Sequence, residues 1–183
     1  CYACGVAADL ADAATDEQAR HAAKLREDLL TPIAKAWSTD MGVDVASLGL
    51  QIHGGMGFMN ETLAAQLYRD SRIAPIYEGT NGIQAIDLVG RKLSGTNGES
   101  MRLILGDIDA TIREARATNE PQLVQIADRL RAGADALREA TDWMLAAMKE
   151  RDQDKALAGA TAYLALAGDV IGGHFLTKEA VAA

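Results

Sequence analysis

The sequence predicts an all-α protein: an up-down helical bundle followed by a second, antiparallel helical bundle region. Three observations carry this. Of the 183 residues 49% are hydrophobic but only 4% aromatic, and much of the apolar content is alanine. The chain has only 3 prolines. Apolar residues recur at every third or fourth position in stretch after stretch, and none alternates with period two. Small apolar side chains at helical spacing suit long, closely packed helices.

The elements follow in order. Residues 1–14 read as the end of a helix, with Tyr2, Val6 and Leu10 in register. Thr15-Asp16-Glu17-Gln18 reads as a capping box in which Thr15 caps and Gln18 reaches back. Ala22, Leu25, Leu29, Ile33, Ala36 and Trp37 form the next apolar stripe, with Trp37 as core packing. Thr31-Pro32 lies inside it, so a kink or break is expected there. Spacing resumes at Met41, Val45 and Leu48. Gln51-Ile52-His53-Gly54-Gly55-Met56-Gly57-Phe58 ends that helix. A short helix is expected from Glu61 to Ser71, with Leu63, Ala64, Leu67 and Tyr68 inward and Arg69, Asp70 and Arg72 in ordinary ion pairs. Another runs from Ile83 to Leu93, with Ile86 and Val89 on its stripe.

Ser94-Gly95-Thr96-Asn97-Gly98 is the clearest boundary, a small polar glycine-rich linker dividing the chain into residues 1–93 and 94–183. Beyond it Met101, Leu103, Ile104, Ile108 and Ile112 mark one helix. Pro121 suits the first position of the next, whose stripe runs from Leu123 to Met148. Arg151 to Asp154 read as a polar turn, and Leu157 to Ile171 give a third helical stretch. Short connections imply antiparallel neighbours. His174 is isolated near the chain end and receives no role.

Net charge is −8 and the pI about 4.8. Residues 1–93 carry 8 Lys/Arg against 12 Asp/Glu, and residues 94–183 carry 10 against 14, so neither half is basic. Non-specific binding to nucleic acid or to anionic membrane is not expected. No apolar run approaches membrane-spanning length. Cys1-Tyr2-Ala3-Cys4 has the form C-x-x-C but no second pair and no preceding strand, so it reads as two small buried thiols. A chain with 2 cysteines and no disulfide framework fits a reducing cytoplasm. Because it opens on Cys1 in mid-helix, it reads as a piece of a longer protein.

One stretch carries chemistry: Ile73-Ala74-Pro75-Ile76-Tyr77-Glu78-Gly79-Thr80-Asn81-Gly82. Pro75 biases Ala74 towards extended backbone and stops a helix before it. Gly79 and Gly82 permit tight backbone near a ligand. Glu78 therefore sits on a linker ahead of a helix N-terminus, a place suited to an anion. Beside Ile73, Ile76 and Tyr77 its carboxylate could be partly desolvated and act as a base. The other reading is a solvated loop acid. The glycine run at 54–57 is either a helix C-cap and turn or a bare backbone against a flat or phosphorylated ligand. It is not a dinucleotide fingerprint, since no strand precedes it. His53 has no partner at metal-ligand spacing.

Taken together, Gln51 to Phe58, then Tyr68-Arg69-Asp70, then Ile76-Tyr77-Glu78-Gly79-Thr80-Asn81-Gly82-Ile83-Gln84 resemble the C-terminal helical domain of the FAD-dependent acyl-CoA dehydrogenases. The resemblance covers residues 1–93. Residues 94–183 resemble, more weakly, the extra helical region of the larger bacterial members, a group that includes 3-methylmercaptopropionyl-CoA dehydrogenases. The resemblance implies that Glu78 removes the α-proton of an acyl-CoA thioester while the β-carbon gives hydride to FAD, leaving a trans-2-enoyl-CoA. It implies that Gly79 lies beside the thioester and that Tyr77 lines the acyl pocket. Thr80, Asn81 and Gly82 would contact FAD, and Gln51, Ile52, His53, Gly54 and Gly55 the FAD of a neighbouring subunit. A homodimer or homotetramer, and an electron-transfer flavoprotein as acceptor, follow from the same resemblance. The family's N-terminal helical and middle β domains are not in this sequence, so little or no activity is expected of the chain alone. An acyl-CoA oxidase, which uses the same base, and an inert helical oligomerisation module are the competing readings.

Overall fold

The computed structural model describes residues 1–150 and 153–183. Every regular element among them is helical: α1 (Tyr2–Ala13), α2 (Glu17–Ile52), α3 (Gly55–Phe58), α4 (Ala64–Ser71), α5 (Asn81–Asp87), α6 (Glu99–Ala117), α7 (Pro121–Lys149), α8 (Gln153–Ala158) and α9 (Ala160–Ala182). The all-α expectation holds.

The long helix α2 is the frame. Its N-cap is Asp16, not Thr15: the Asp16 carboxylate accepts from Ala19 N–H at 2.7 Å. A carboxylate in extended backbone one residue nearer the helix satisfies the free amide and also favours the positive helix end. Nor does Pro32 break α2, which runs uninterrupted to Ile52. The Pro32 ring is buried in the core, and the Thr31 hydroxyl donates to the Glu27 carbonyl at 2.7 Å. Burial of the ring and neighbouring Leu29, Leu30 and Ile33 offsets the missing backbone donor.

α1 lies on α2 through its small-residue face, where only Ala7 is buried. Tyr2, Val6 and Leu10 therefore point outward, and Cys1 is exposed with Cys4 half-buried, contrary to two buried thiols. The expected Glu61–Ser71 helix is split. Asn60–Thr62 form a single 3₁₀ turn, and Leu63 takes φ 62° before α4 starts at Ala64. In α4 only Ala65 is buried, Leu63 and Leu67 are exposed, and Arg69, Asp70 and Arg72 make no ion pair among the described residues. These side chains are exposed although α4 packs on α2, and among the described residues nothing covers them.

α5 passes at Leu88 into a π-helical stretch, Leu88–Leu93, where Leu88, Val89 and Leu93 are fully buried. The Ser94 N–H and hydroxyl both bond the Val89 carbonyl, at 3.3 and 2.7 Å, closing the wider turn. The wider winding turns the apolar row inward from residue 88 onward, while Ile83 and Ile86 stay exposed.

α6, α7 and α9 carry most of the stripes expected of them, although Ile126 is exposed and Leu103, Leu123, Leu145 and Met148 are half-buried. Met101, Ile104, Ile108 and Ile112 meet Ala127, Leu130, Ala134 and Leu137, and these meet Tyr163, Ala167, Val170 and Ile171. Arg116 pairs with Asp128 at 2.6 Å and Arg131 with Asp109 at 2.8 Å, so α7 runs back along α6. The Thr141 and Tyr163 hydroxyls are 2.8 Å apart and a Cβ on Gly133 would lie 3.1 Å from Val170 Cγ2, so α9 likewise runs back along α7. Burial raises the Tyr163 phenol to about 12, which keeps it neutral in that bond. Pro121 occupies the first turn of α7 as expected. The expected polar turn at Arg151–Asp154 falls partly outside the described residues; its described end, Gln153 and Asp154, is helical. The third stretch is broken at Gly159, where any Cβ would lie 2.8 Å from Met144 Cε.

The core is continuous across the linker, running from Leu29 and Ile33 through Leu88 and Val89 to Ile108, Leu137 and Ile171. His174 is buried beside it with no hydrogen-bond partner for Nδ1 among the described residues, and burial pushes its pKa below the ordinary 6.5. Asp107 and Glu114 oppose that shift and Lys178 adds to it. An unfolded chain takes up a proton near 6.5, but the folded one does so only at lower pH, so this site loses stability as pH falls below that value. Unfolding midpoints in urea between pH 7.5 and 5 should fall more for wild type than for His174→Leu; parallel curves would contradict the assignment.

Candidate active site

Glu78 stands at the crest of the loop between α4 and α5. α4 ends at Ser71, so no helix runs through Ala74. Tight turns follow: Ile76 and Tyr77 N–H both donate to the Ile73 carbonyl, at 2.9 and 3.1 Å. Pro75 is buried, and its carbonyl accepts from Asn81 N–H at 3.1 Å, which closes the loop at its base. Between these ends Glu78 has φ 54° and Gly79 φ 86°. A non-glycine residue in the left-handed region is uncommon and costs roughly 1–3 kcal/mol, held in place by its surroundings. Gln84 Nε2 lies 3.5 Å from the carbonyls of both Glu78 and Gly79. A Cβ on Gly79 would sit 3.0 Å from the same amide nitrogen.

Glu78 is exposed, as are Ile73, Ile76, Tyr77 and Thr80. The partly desolvated carboxylate read from the sequence is therefore not found in this chain. Neighbouring apolar side chains cannot remove water from a crest over which, among the described residues, no other element packs. They form an open apolar rim that excludes water only when something closes over it.

Asn81 is committed elsewhere. Its Oδ1 accepts from Lys35 Nζ at 2.8 Å, and its Nδ2 donates to Asp40 Oδ1 at 2.7 Å, Thr39 Oγ1 at 3.0 Å and the Ala36 carbonyl at 3.1 Å. The Asn81 side chain is thus turned to α2. Thr80, the N-cap of α5, makes no side-chain capping bond, and Gly82 is exposed with open space around it. Lys35, Thr39 and Asp40 were not legible as site residues: they are ordinary polar positions on a helix until the fold lays α5 across them.

The glycine turn lies at the other end of α2. His53 caps the helix, Gly54 follows with φ 59°, and Gly57 N–H closes onto the Gly54 carbonyl at 2.9 Å. Gly54 N–H donates to the Gln51 carbonyl at 3.0 Å, so a glycine follows the helix end as the C-cap reading expects, although its ψ of −145° lies outside the left-handed helical cap. Gln51 to Gly55 are exposed, and a Cβ on Gly54 or Gly55 would meet nothing within 4 Å, so their backbone is bare. Gly57 differs: a Cβ there would lie 2.3 Å from the Leu50 carbonyl oxygen. Gly57→Ala should destabilise by about 1–3 kcal/mol, the usual range for overpacking, whereas Gly55→Ala should be close to neutral. Thermal unfolding of the pair tests this contrast. The turn and the Glu78 loop do not converge within one chain. Asn81 meets α2 at residues 35–40, and even Asp40 is roughly 17 Å along the helix from Gln51 at the standard rise. No group of three metal-ligating side chains occurs among the described residues.

Residues 3–94 match the profile of the acyl-CoA dehydrogenase C-terminal domain. This chain belongs to the acyl-CoA dehydrogenase family. Residues 104–183 match a second profile, acetyl-CoA dehydrogenase C-terminal like. Among curated acyl-CoA dehydrogenases, the chain is 42% identical over 167 residues to the 3-methylmercaptopropionyl-CoA dehydrogenase of Ruegeria pomeroyi, covering 91% of this chain and 28% of that protein. It is 39% identical over 100 residues to a butyryl-CoA dehydrogenase of Syntrophomonas wolfei, covering 53% and 16%. It is 28% identical over 162 residues to a broad-specificity linear acyl-CoA dehydrogenase of Mycobacterium tuberculosis, covering 85% and 26%. The chain thus spans between 16% and 28% of the length of these acyl-CoA dehydrogenases. Among the described residues no helix is long and apolar enough to cross a membrane.

Proposed function

We propose that this chain is part of an FAD-dependent enzyme that converts an acyl-CoA thioester to the trans-2-enoyl-CoA, with Glu78 as the base for the α-proton. The observation that carries the reading is the display of Glu78, in left-handed backbone, at the crest of a loop closed by Asn81 and leading directly into α5. Among the described residues nothing accepts a hydrogen bond from the Glu78 N–H. One residue therefore offers a carboxylate to take the proton and a free amide to polarise the thioester oxygen. Such a donor, aimed at a developing enolate, is typically worth ~3 kcal/mol. A positioned proton transfer typically adds ~10²–10⁴-fold.

The residues fit FAD. Gly54 and Gly55 present bare backbone, and Thr80 and Gly82 present, among the described residues, a hydroxyl that makes no capping bond and open backbone at the head of α5. Thr80 and Gly82 would hold one FAD, and Gln51 to Gly55 the FAD of a neighbouring subunit, which makes the working assembly a homodimer or homotetramer. When bound, FAD supplies the acceptor for the hydride leaving the β-carbon. Tyr77 and Gly79 would flank the acyl thioester, and their open rim becomes water-poor once the rest of the protein covers it. An electron-transfer flavoprotein is the proposed final acceptor and the cytoplasm the proposed compartment.

The test is anaerobic addition of a panel of acyl-CoA thioesters to the full-length protein. Loss of the oxidised-flavin absorbance with formation of enoyl-CoA is the expected result. Stoichiometric peroxide in air would assign an oxidase instead, and no bleaching with any thioester would reject the reading.

A further inference from the structure

We infer that Asn81 is a positioning residue: its carboxamide clamps the foot of the Glu78 loop to one turn of α2 and so sets where the carboxylate and its amide stand. This rests on the reading of Glu78 as the base. The resemblance assigns Asn81 to the cofactor, but its side chain is spent on α2. The oxygen accepts from Lys35 at 2.8 Å, and the nitrogen donates to Asp40 at 2.7 Å, Thr39 at 3.0 Å and the Ala36 carbonyl at 3.1 Å. Both ends of the amide are thus bonded to charged groups, which makes these bonds shorter and stronger than neutral ones. The backbone of the same residue completes the clamp. Asn81 N–H donates to the Pro75 carbonyl at 3.1 Å, so one residue ties the two ends of the loop together and ties both to α2. Between these anchors Ile76 and Tyr77 N–H bond the Ile73 carbonyl and Gln84 N–H bonds the Thr80 carbonyl, while Glu78 and Gly79 themselves have, among the described residues, the two long Gln84 contacts at 3.5 Å. Holding Glu78 in left-handed backbone needs external support, and no other side chain supplies as much of it. A further bond braces the α2 turn itself: Trp37 Nε1 donates to Asp169 Oδ1 on α9 at 2.8 Å.

A base displaced by about 1 Å from its proton can lose on the order of 10²-fold in rate. Asn81→Ala in the full-length holoenzyme should therefore slow flavin reduction by roughly 10–10²-fold, with FAD still bound and the affinity for a non-reducible acyl-CoA analogue little changed. Hydrogen–deuterium exchange should quicken over residues 75–83 and nowhere else. The decisive arm exchanges donor and acceptor. Asn81→Asp sets a second carboxylate against Asp40 and should be slower than wild type, while adding Asp40→Asn restores a donor–acceptor pair and should raise the rate above Asn81→Asp alone. Asp40 is exposed on α2, so its replacement does not open the core. Unchanged exchange over the loop in Asn81→Ala overturns the clamp. So does loss of FAD from Asn81→Ala together with no rescue of Asn81→Asp by Asp40→Asn, which would return Asn81 to the cofactor. Should the Glu78→Gln control reduce its flavin normally, the base assignment fails instead, and the exchange data still judge the clamp.

Discussion

Glu78→Gln in the full-length protein should abolish reduction of bound FAD by acyl-CoA while leaving flavin and thioester binding in place. The amide has nearly the shape of the carboxylate but no basic oxygen, so the loop, its left-handed backbone and the Glu78 N–H survive. What is removed is proton transfer, typically ~10²–10⁴-fold of rate. The proton next to a thioester is so weakly acidic that hydride loss without its removal has no low-energy route, so the deficit should reach or exceed the top of that range. Rapid mixing under anaerobic conditions, followed at the flavin band, measures it directly. A Glu78→Gln protein that bleaches near the wild-type rate would move the base elsewhere. Because the carboxylate is exposed in this chain, burial of the loop by the rest of the protein is part of the same expectation. Adding substrate analogue should therefore protect residues 76–80 from solvent exchange in the intact protein.

The largest effect on stability is expected at Gly168. The Trp37 indole of α2 lies flat across Gly168 and Gly172 of α9, and its Nε1 bonds Asp169 between them. A Cβ on Gly168 would stand 2.2 Å from Cδ1 and 2.3 Å from Cγ of the ring, and one on Gly172 would stand 3.2 Å from Cη2. The ring cannot retreat without breaking its bond to Asp169 and leaving the core. Gly168→Ala should therefore cost about 3 kcal/mol, the upper end of ordinary overpacking. For a domain of this size that is a fall in Tm of roughly 6–12 °C. Gly172→Ala, with ordinary room to yield, should cost much less. Trp37→Leu placed in the Gly168→Ala background should recover part of the loss by removing the ring that clashes. A Gly168→Ala protein that melts with wild type would mean that α9 does not seat on α2 as described.

The helices were legible because helix formation and the burial of one face leave a repeat of three to four residues, which reads directly. The stripes from Leu25 to Ala36, from Met101 to Ile112 and from Ala127 to Met144 are buried as expected. Reading failed where local rules competed. Thr15 and Asp16 are both good caps, and one residue of register decides between them. Pro32 reads as a kink or break, yet α2 is not broken there and the proline ring is buried. Met41, Val45, Leu48, Ile83 and Ile86 have core spacing but are exposed here, since periodicity says which face is apolar and not what covers it.

Sequence by itself determined the helical class, the approximate ends of most helices and the family, since the motifs around Gly54 and Glu78 depend on order and spacing along the chain. Only the tertiary structure decided that Asn81 reaches Lys35 and Asp40, that Trp37 lies on Gly168, and that Glu78 stands exposed on a clamped loop. The Asn81 bond to Asp40 and the Trp37 bond to Asp169 beside Gly168 join residues 41 and 132 positions apart. Local backbone preference has no knowledge of such pairs; they arise only when burial of the shared core brings distant turns together.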